Sequence, residues 1–154
     1  MLSSITNTVF SAQMLINTYK YEERSGTMKL ELLKSEHAPK AIGPYSHGTK
    51  FGNMIITSGQ IPVNPDTGEM VTEIKAAAKT VLENLISIVE TAGGSRDTVA
   101  KVDVFVKSLD DFNAINEIYA DFFGEHKPSR VLVQVGDLPA GALLEAAMTA
   151  FAEE

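Results

Sequence analysis

Between residues 72 and 135 the apolar pattern alternates between helical and extended spacing, and this limits the fold more than any other feature of the chain. From Thr72 to Ala92, the residues Ile74, Ala78, Val81, Leu82, Leu85, Val89 and Ala92 recur at spacings of three and four, which is one face of an α-helix. Gly93-Gly94 then stops it. Val99–Val106 reads as a strand, with Val102, Val104 and Val106 pointing one way and Lys101, Asp103 and Phe105 the other. Ser108-Leu109-Asp110-Asp111 matches a helix-opening capping pattern. Behind it Phe112, Ile115, Tyr119 and Phe122 form a second helical stripe, closed by Gly124. Arg130–Val135 is extended again. Both stripes are expected to pack as core.

The flanking segments complete the order. Lys29–Leu33 is a short strand candidate, and Ser35–His47, with two prolines and a glycine, is a loop. Asn53–Ser58 is apolar and β-rich, whereas Ile61–Val71 carries the turn chemistry of Pro62, Asn64, Pro65, Asp66 and Gly68. The predicted order is β-β-α-β-α-β with one contested segment at the end. Gly141–Glu154 is rich in Ala, Leu and Glu, and propensity reads it as a helix. A chain of 154 residues without internal repeats suits one domain. Residues 1–27 are rich in Ser, Thr and Asn with scattered apolar residues, so they are expected to be an extension outside the core, with 28–154 as the domain. They hold neither early arginines nor an apolar run before Lys20.

Several chemistries are excluded. Cysteine is absent, which removes disulfides, thiolate metal sites and thiol nucleophiles. That fits a reducing compartment, and a cytoplasmic location is expected, with organellar targeting by residues 1–27 left open. The formal charge of −7 and the lack of a basic run make nucleic acid and anionic membrane poor partners. No apolar stretch is long enough to span a bilayer. His37, His47 and His126 lack metal-ligand spacing, and there is no phosphate loop or nucleophile elbow. Two ionisable residues stand out. Arg130 opens an apolar strand and shares a face with Leu132 and Gln134, opposite Val131, Val133 and Val135; Glu145 is a lone carboxylate among Leu, Ala and Met. A charge on such an element is costly unless paired, and a guanidinium fork suits a carboxylate. The alternative is an exposed Arg at a strand end and an exposed Glu on a helix.

Longer blocks of sequence carry a resemblance. APKAIGPYSHG (Ala38–Gly48), NMIITSGQIP (Asn53–Pro62), PDTGE (Pro65–Glu69), VFVKSLDDF (Val104–Phe112), NEIYADFF (Asn116–Phe123) and HKPSR (His126–Arg130) resemble the Rid family, also called YjgF or L-PSP. The resemblance runs from about Met28 to Phe151. It implies an α+β, chorismate-mutase-like fold with two helices on one face of a mixed sheet. It implies a homotrimer with a cleft at each subunit interface, and no cofactor or metal. It also implies that Gly141–Glu154 holds a strand rather than a helix. The implied activity is hydrolysis of 2-imino acids, such as 2-iminobutanoate and 2-iminopropanoate, to 2-keto acids and ammonia. Carried onto this sequence, the family's carboxylate-binding arginine falls on Arg130 and its water-positioning glutamate on Glu145. Tyr45 matches its loop tyrosine, Ser58 and Gly59 its cleft-lining turn, and Asn116 its interfacial asparagine. One departure is Arg130-Val131-Leu132, where the family often reads Arg-Ser-Cys. Leu132 therefore offers only its backbone carbonyl to a bound water.

Glu145, half-buried between apolar neighbours, is expected to have a raised pKa. Two other functional classes stay open on the sequence: a non-catalytic relative that binds small carboxylates or regulates, and a ribonuclease for which His47 and His126 would be the acid–base candidates.

Overall fold

The computed structural model describes residues 29–153, and the expected extension at residues 1–27 lies outside them. Six strands form one sheet: β1 Leu30–Leu33, β2 Gly48–Phe51, β3 Met54–Thr57, β4 Val99–Val106, β5 Ser129–Gln134 and β6 Leu144–Phe151. The order across the sheet is β1-β2-β3-β6-β4-β5. Every neighbouring pair is antiparallel except β4 and β5. A parallel pair cannot be joined by a hairpin. Helix α1 (Ile74–Thr91) therefore carries the chain from β3 to β4, and α2 (Phe112–Phe123) carries it from β4 to β5.

Both helices cover the same face. Val81, Leu85, Ile88 and Val89 of α1 and Ile115 and Phe123 of α2 join one buried cluster with Val102, Val104 and Val106 of β4 and Leu144, Ala146 and Met148 of β6. The α1 stripe packs as its spacing predicts. Its first turn is held by Glu73, whose carboxylate accepts the backbone N–H groups of Ala76 at 2.8 Å and Lys75 at 3.1 Å. At its end Gly93 adopts φ 87°, a left-handed conformation that a side chain disfavours.

The second stripe is only partly covered. Ile115 and Phe123 are buried, Tyr119 and Phe122 are half-buried, and Phe112 is exposed. This helix overlies the sheet margin, where Tyr119 packs against the core and also meets Arg130 of the edge strand β5, and the exposed Phe112 lies at the outer side of the same arginine.

Two segments differ from what local composition suggests. Gly48–Phe51 is a strand that sequence reading left unassigned. Gly-Thr-Lys-Phe is short and weakly apolar, and its extended form is fixed by pairing with β1 on one side and β3 on the other. The last segment is a strand, as the resemblance implies and against its helical composition. Leu144, Ala146, Met148 and Ala150 are buried against the helices, and β6 pairs with β3 and β4 on its two sides. Small alanines there let α1 approach the sheet closely.

The opposite face carries no helix. Pairing register places Leu32, Phe51, Met54, Ile56, Val131 and Val133 on it, and each is exposed, Leu32 to 73%. Glu145 also points to this face, because it pairs with Phe105 while its neighbours Leu144 and Ala146 are buried.

Candidate active site

A bulge brings Glu145 against a glycine. Beyond β3 the chain runs on beside β6, and Gln60 exchanges two backbone hydrogen bonds with Ala146, at 2.8 and 3.1 Å. Counting from the Ile56–Thr149 pair, residue 59 would face Ala146 in a regular ladder, so the strand holds one extra residue. The Thr57 hydroxyl accepts the Met148 N–H at 2.9 Å and fills the gap in the ladder. Gly59 then lies against the Glu145 carboxylate: a Cβ there would stand 2.9 Å from Cδ and overlap Oε1 outright. The missing side chain is thus occupied by the carboxylate.

The cavity beside Glu145 has a volume of about 90 Å³ and is lined by Lys40, Ile42, Tyr45, Gly59, Ile61 and Pro139, among others. Tyr45 stands on the loop between β1 and β2, with its hydroxyl accepting the Ile42 N–H at 3.4 Å. Ser58 is tied into the fold. Its hydroxyl donates to the Ser46 carbonyl at 2.6 Å, and its N–H donates to the His47 carbonyl at 2.9 Å. Burial pushes the Glu145 carboxyl above the usual carboxylate range, in the direction the sequence predicts. Among the described residues it has no ion-pair partner.

Arg130 is elsewhere. It pairs in register with Val102, a fully buried residue, so its side chain leaves β5 on the helix-covered face. Its guanidinium carbon lies 4.6 Å from the centroid of the Tyr119 ring and 6.0 Å from that of Phe112. Asn116 is one turn beyond Phe112 and one turn before Tyr119, on the same side of α2. Among the described residues Arg130 also forms no ion pair. Leu132 shares its face and packs against the core. The Val135 N–H donates to the Val106 carbonyl, so alternation turns the backbone amide and carbonyl of Leu132 to the outer edge of the sheet.

The seven predicted residues therefore fall into two groups. Tyr45, Gly59 and Glu145 line one cavity, and Ser58 precedes Gly59 in the chain but does not line it, its hydroxyl and N–H being spent on the Ser46 and His47 carbonyls. Arg130, Asn116 and Leu132 gather at the β5 edge. Within one chain the structure does not bring the groups together. Arg130 and Glu145 leave opposite faces, separated by about 10 Å across two strand spacings and about 10 Å along three residues.

Sequence reading missed Tyr119, which it counted as core, although an aromatic residue facing a lone arginine is a readable signal only once the strand is placed. The histidines form no pair. His47 is buried and accepts the Ser35 N–H at Nδ1, at 2.9 Å, while the His126 Nε2 lies 2.7 Å from the Val99 carbonyl oxygen. They precede β2 and β5, between which three strands intervene. No cluster of potential metal ligands occurs among the described residues. No helix among them is long and apolar enough to cross a membrane.

This is an α+β domain with one mixed sheet, one helical layer and a small cavity built around an unpaired carboxylate. Its relatives agree. The endoribonuclease L-PSP family model matches residues 35–152, and the chain belongs to that family, the Rid or YjgF proteins. It is 48% identical over 127 residues to a RutC family protein of Pyrococcus abyssi, covering 82% of this chain and all of that one. It is also 48% identical over 116 residues to the Escherichia coli 2-iminobutanoate/2-iminopropanoate deaminase, covering 73% of this chain and 91% of the relative. A crystal structure of Escherichia coli TdcF with bound serine superposes with a TM-score of 0.77 at 43% identity, covering 80% of this chain and 99% of that one.

Proposed function

We propose that this chain hydrolyses small 2-imino acids to 2-keto acids and ammonia, at sites completed between the subunits of a homotrimer. The observation that carries this reading is the pair of half-buried, unpaired groups, Arg130 against the Tyr119 ring and Glu145 beside a cavity, neither neutralised within the described chain. Identity to a deaminase acting on 2-iminobutanoate and 2-iminopropanoate supports it, as does the serine bound in TdcF, a small amino acid with the same carboxylate.

In this reading Arg130 holds the substrate carboxylate through two parallel hydrogen bonds and sets the imine carbon beside Glu145 of another subunit. Glu145 accepts a proton from water as the water oxygen attacks that carbon and returns it to the imine nitrogen, giving a neutral carbinolamine. Glu145 then carries the hydroxyl proton of the carbinolamine to the same nitrogen, and the C–N bond breaks as the carbonyl forms, releasing ammonia and leaving the carboxylate as it began. A raised carboxyl pKa suits this two-way traffic. Leu132 is no obstacle, since its side chain packs into the core and only its backbone faces the sheet edge. The separation of His47 and His126 favours this reading over ribonuclease chemistry.

The test is to generate 2-iminobutanoate with a threonine dehydratase and trap it as the semicarbazone. Wild type should suppress trapping. Arg130→Ala and Arg130→Lys should each lose about 10- to 150-fold in kcat/KM, from one or more charge-assisted hydrogen bonds of roughly 1.5–3 kcal/mol. Wild-type activity in the Ala variant would remove Arg130 from the site, and an inactive wild type would sink the reaction.

A further inference from the structure

Arg130 reaches its position without a single ionic contact from the described residues, which raises the question of what holds its guanidinium still. A flexible side chain on an edge strand samples several rotamers, and a bidentate grip on an anion requires one plane. Tyr119 offers such a plane. Its ring lies 4.6 Å from the guanidinium carbon, inside the range in which the negative face of an aromatic ring attracts a cation. The ring itself packs against Phe123, at 4.7 Å between centroids and tilted by 47°. Phe112 lies at the limit of that range, at 6.0 Å, and is exposed.

The hydroxyl adds a second observation. The Tyr119 oxygen is buried with no hydrogen-bond partner, the only such side-chain atom among the described residues. Its position is therefore not set by a hydrogen bond; packing sets it, and the ring face is what the site uses. Burial pushes the hydroxyl pKa up, while the Arg130 charge pulls the other way, consistent with the two groups sharing one environment.

We infer that Tyr119 is the positioning residue for Arg130: its ring stacks on the guanidinium and orients the N–H edge toward a small anionic ligand, a carboxylate of the 2-keto or 2-imino acid class. The choice of ligand rests on the proposed function, but the stacking role does not. The residue acts through Arg130 and touches no reacting atom. Because the ligand carboxylate is held alike before and during reaction, loss of the ring should raise KM and leave kcat nearly unchanged. The ring, not the hydroxyl, carries the effect, so Phe should replace Tyr.

The experiment titrates wild type, Tyr119→Phe and Tyr119→Leu with 2-oxobutanoate by calorimetry and follows the Arg130 Nε–H resonance by NMR. Wild type and the Phe variant should bind alike and show the Nε–H displaced by the aromatic ring current. The Leu variant should lose that displacement and bind about 3- to 30-fold more weakly, the range expected for a partly desolvated cation–aromatic contact. Semicarbazone trapping on the same samples should show the split between KM and kcat. Wild-type affinity in the Leu variant overturns the inference, and so does weakened binding in the Phe variant, which would assign the role to the hydroxyl. Failure of the wild type to bind 2-oxobutanoate also overturns it. A wild type that binds the keto acid but does not accelerate imine hydrolysis sinks the proposed reaction and leaves the role of Tyr119 standing. Circular dichroism on the Leu variant excludes unfolding, and the Phe variant keeps the test decisive if Leu fails to fold.

Discussion

Replacing Gly59 by alanine should silence the protein without unfolding it. A methyl group at that position would stand 2.9 Å from Cδ and 3.2 Å from Cγ of Glu145 and overlap Oε1. Non-bonded carbons rest at about 3.5–4.0 Å, so Cδ must retreat by about 0.6 to 1.1 Å and the overlapping Oε1 by more than that. The backbone can accept the change, because Gly59 is not among the glycines with positive φ. The obstacle is the end of a flexible side chain, so stability should move by less than about 1 kcal/mol, helped by the smaller entropy of the unfolded alanine chain. A displacement near 1 Å at a general base costs on the order of 100-fold in rate. Semicarbazone trapping would measure it, with KM changing far less because Arg130 keeps the carboxylate. Adding Gly59→Ala to Glu145→Gln should cost nothing further, since both act through one carboxylate. Wild-type turnover in a folded Gly59→Ala protein would refute the reasoning, and additive losses in the double variant would refute its route through Glu145.

Three other outcomes follow from the same geometry. Gly48→Ala should destabilise by about 1–3 kcal/mol in chemical denaturation, because its Cβ would meet the Ile56 carbonyl oxygen at 2.7 Å and the Thr57 Cα at 3.2 Å, both backbone atoms that cannot step aside. Glu145→Gln should raise the melting temperature at about pH 7 and lose that advantage near pH 3.5, below the ordinary carboxylate range. The sign comes from the raised pKa: in the window above the unfolded value the folded state keeps a proton the unfolded state has lost, so stability falls as pH rises and stays lower above it. Light scattering at micromolar concentration should give three times the 16.6 kDa subunit mass, because the sheet face that carries Leu32, Phe51 and Ile56 is too apolar to remain open; a monomer mass would contradict this.

What the sequence made legible follows from how local each signal is. Helix α1 and strands β4 and β5 were readable because their apolar spacing matches the period of the element that forms. Strand β2 was not, since Gly-Thr-Lys-Phe takes its extended form from β1 and β3 and not from its own residues. Strand β6 shows the same competition reversed: LEAAMTAF has the composition of a helix, and pairing on both edges decides against it. Arg130 was visible as an isolated cation before an apolar run. Glu145 was visible too, as a lone carboxylate among Leu, Ala and Met, but its place on a strand came from the resemblance and its surroundings depend on a bulge around Gly59 that no local pattern announces. Tyr119 was hidden by its place in a helical stripe, where aromatic residues are usually core.

The sheet itself supports the proposal that the site is completed between subunits. Arg130 leaves it on the helix-covered side and Glu145 on the open side, and no rotamer change moves a side chain through a hydrogen-bonded ladder. If the two groups act on one substrate, they come from different copies. The two halves also lie on different surfaces of the subunit, the β5 edge and the rim of the cavity around Glu145. A contact that joins one surface to another is heterologous, and it repeats from copy to copy until the rotation closes. A closed ring satisfies every half-site, and three copies yield three complete sites. In the proposed trimer, burial of the exposed apolar face would drive that closure. Association and assembly of the active site are then one event, so specific activity should fall with dilution at the concentration where the ring dissociates.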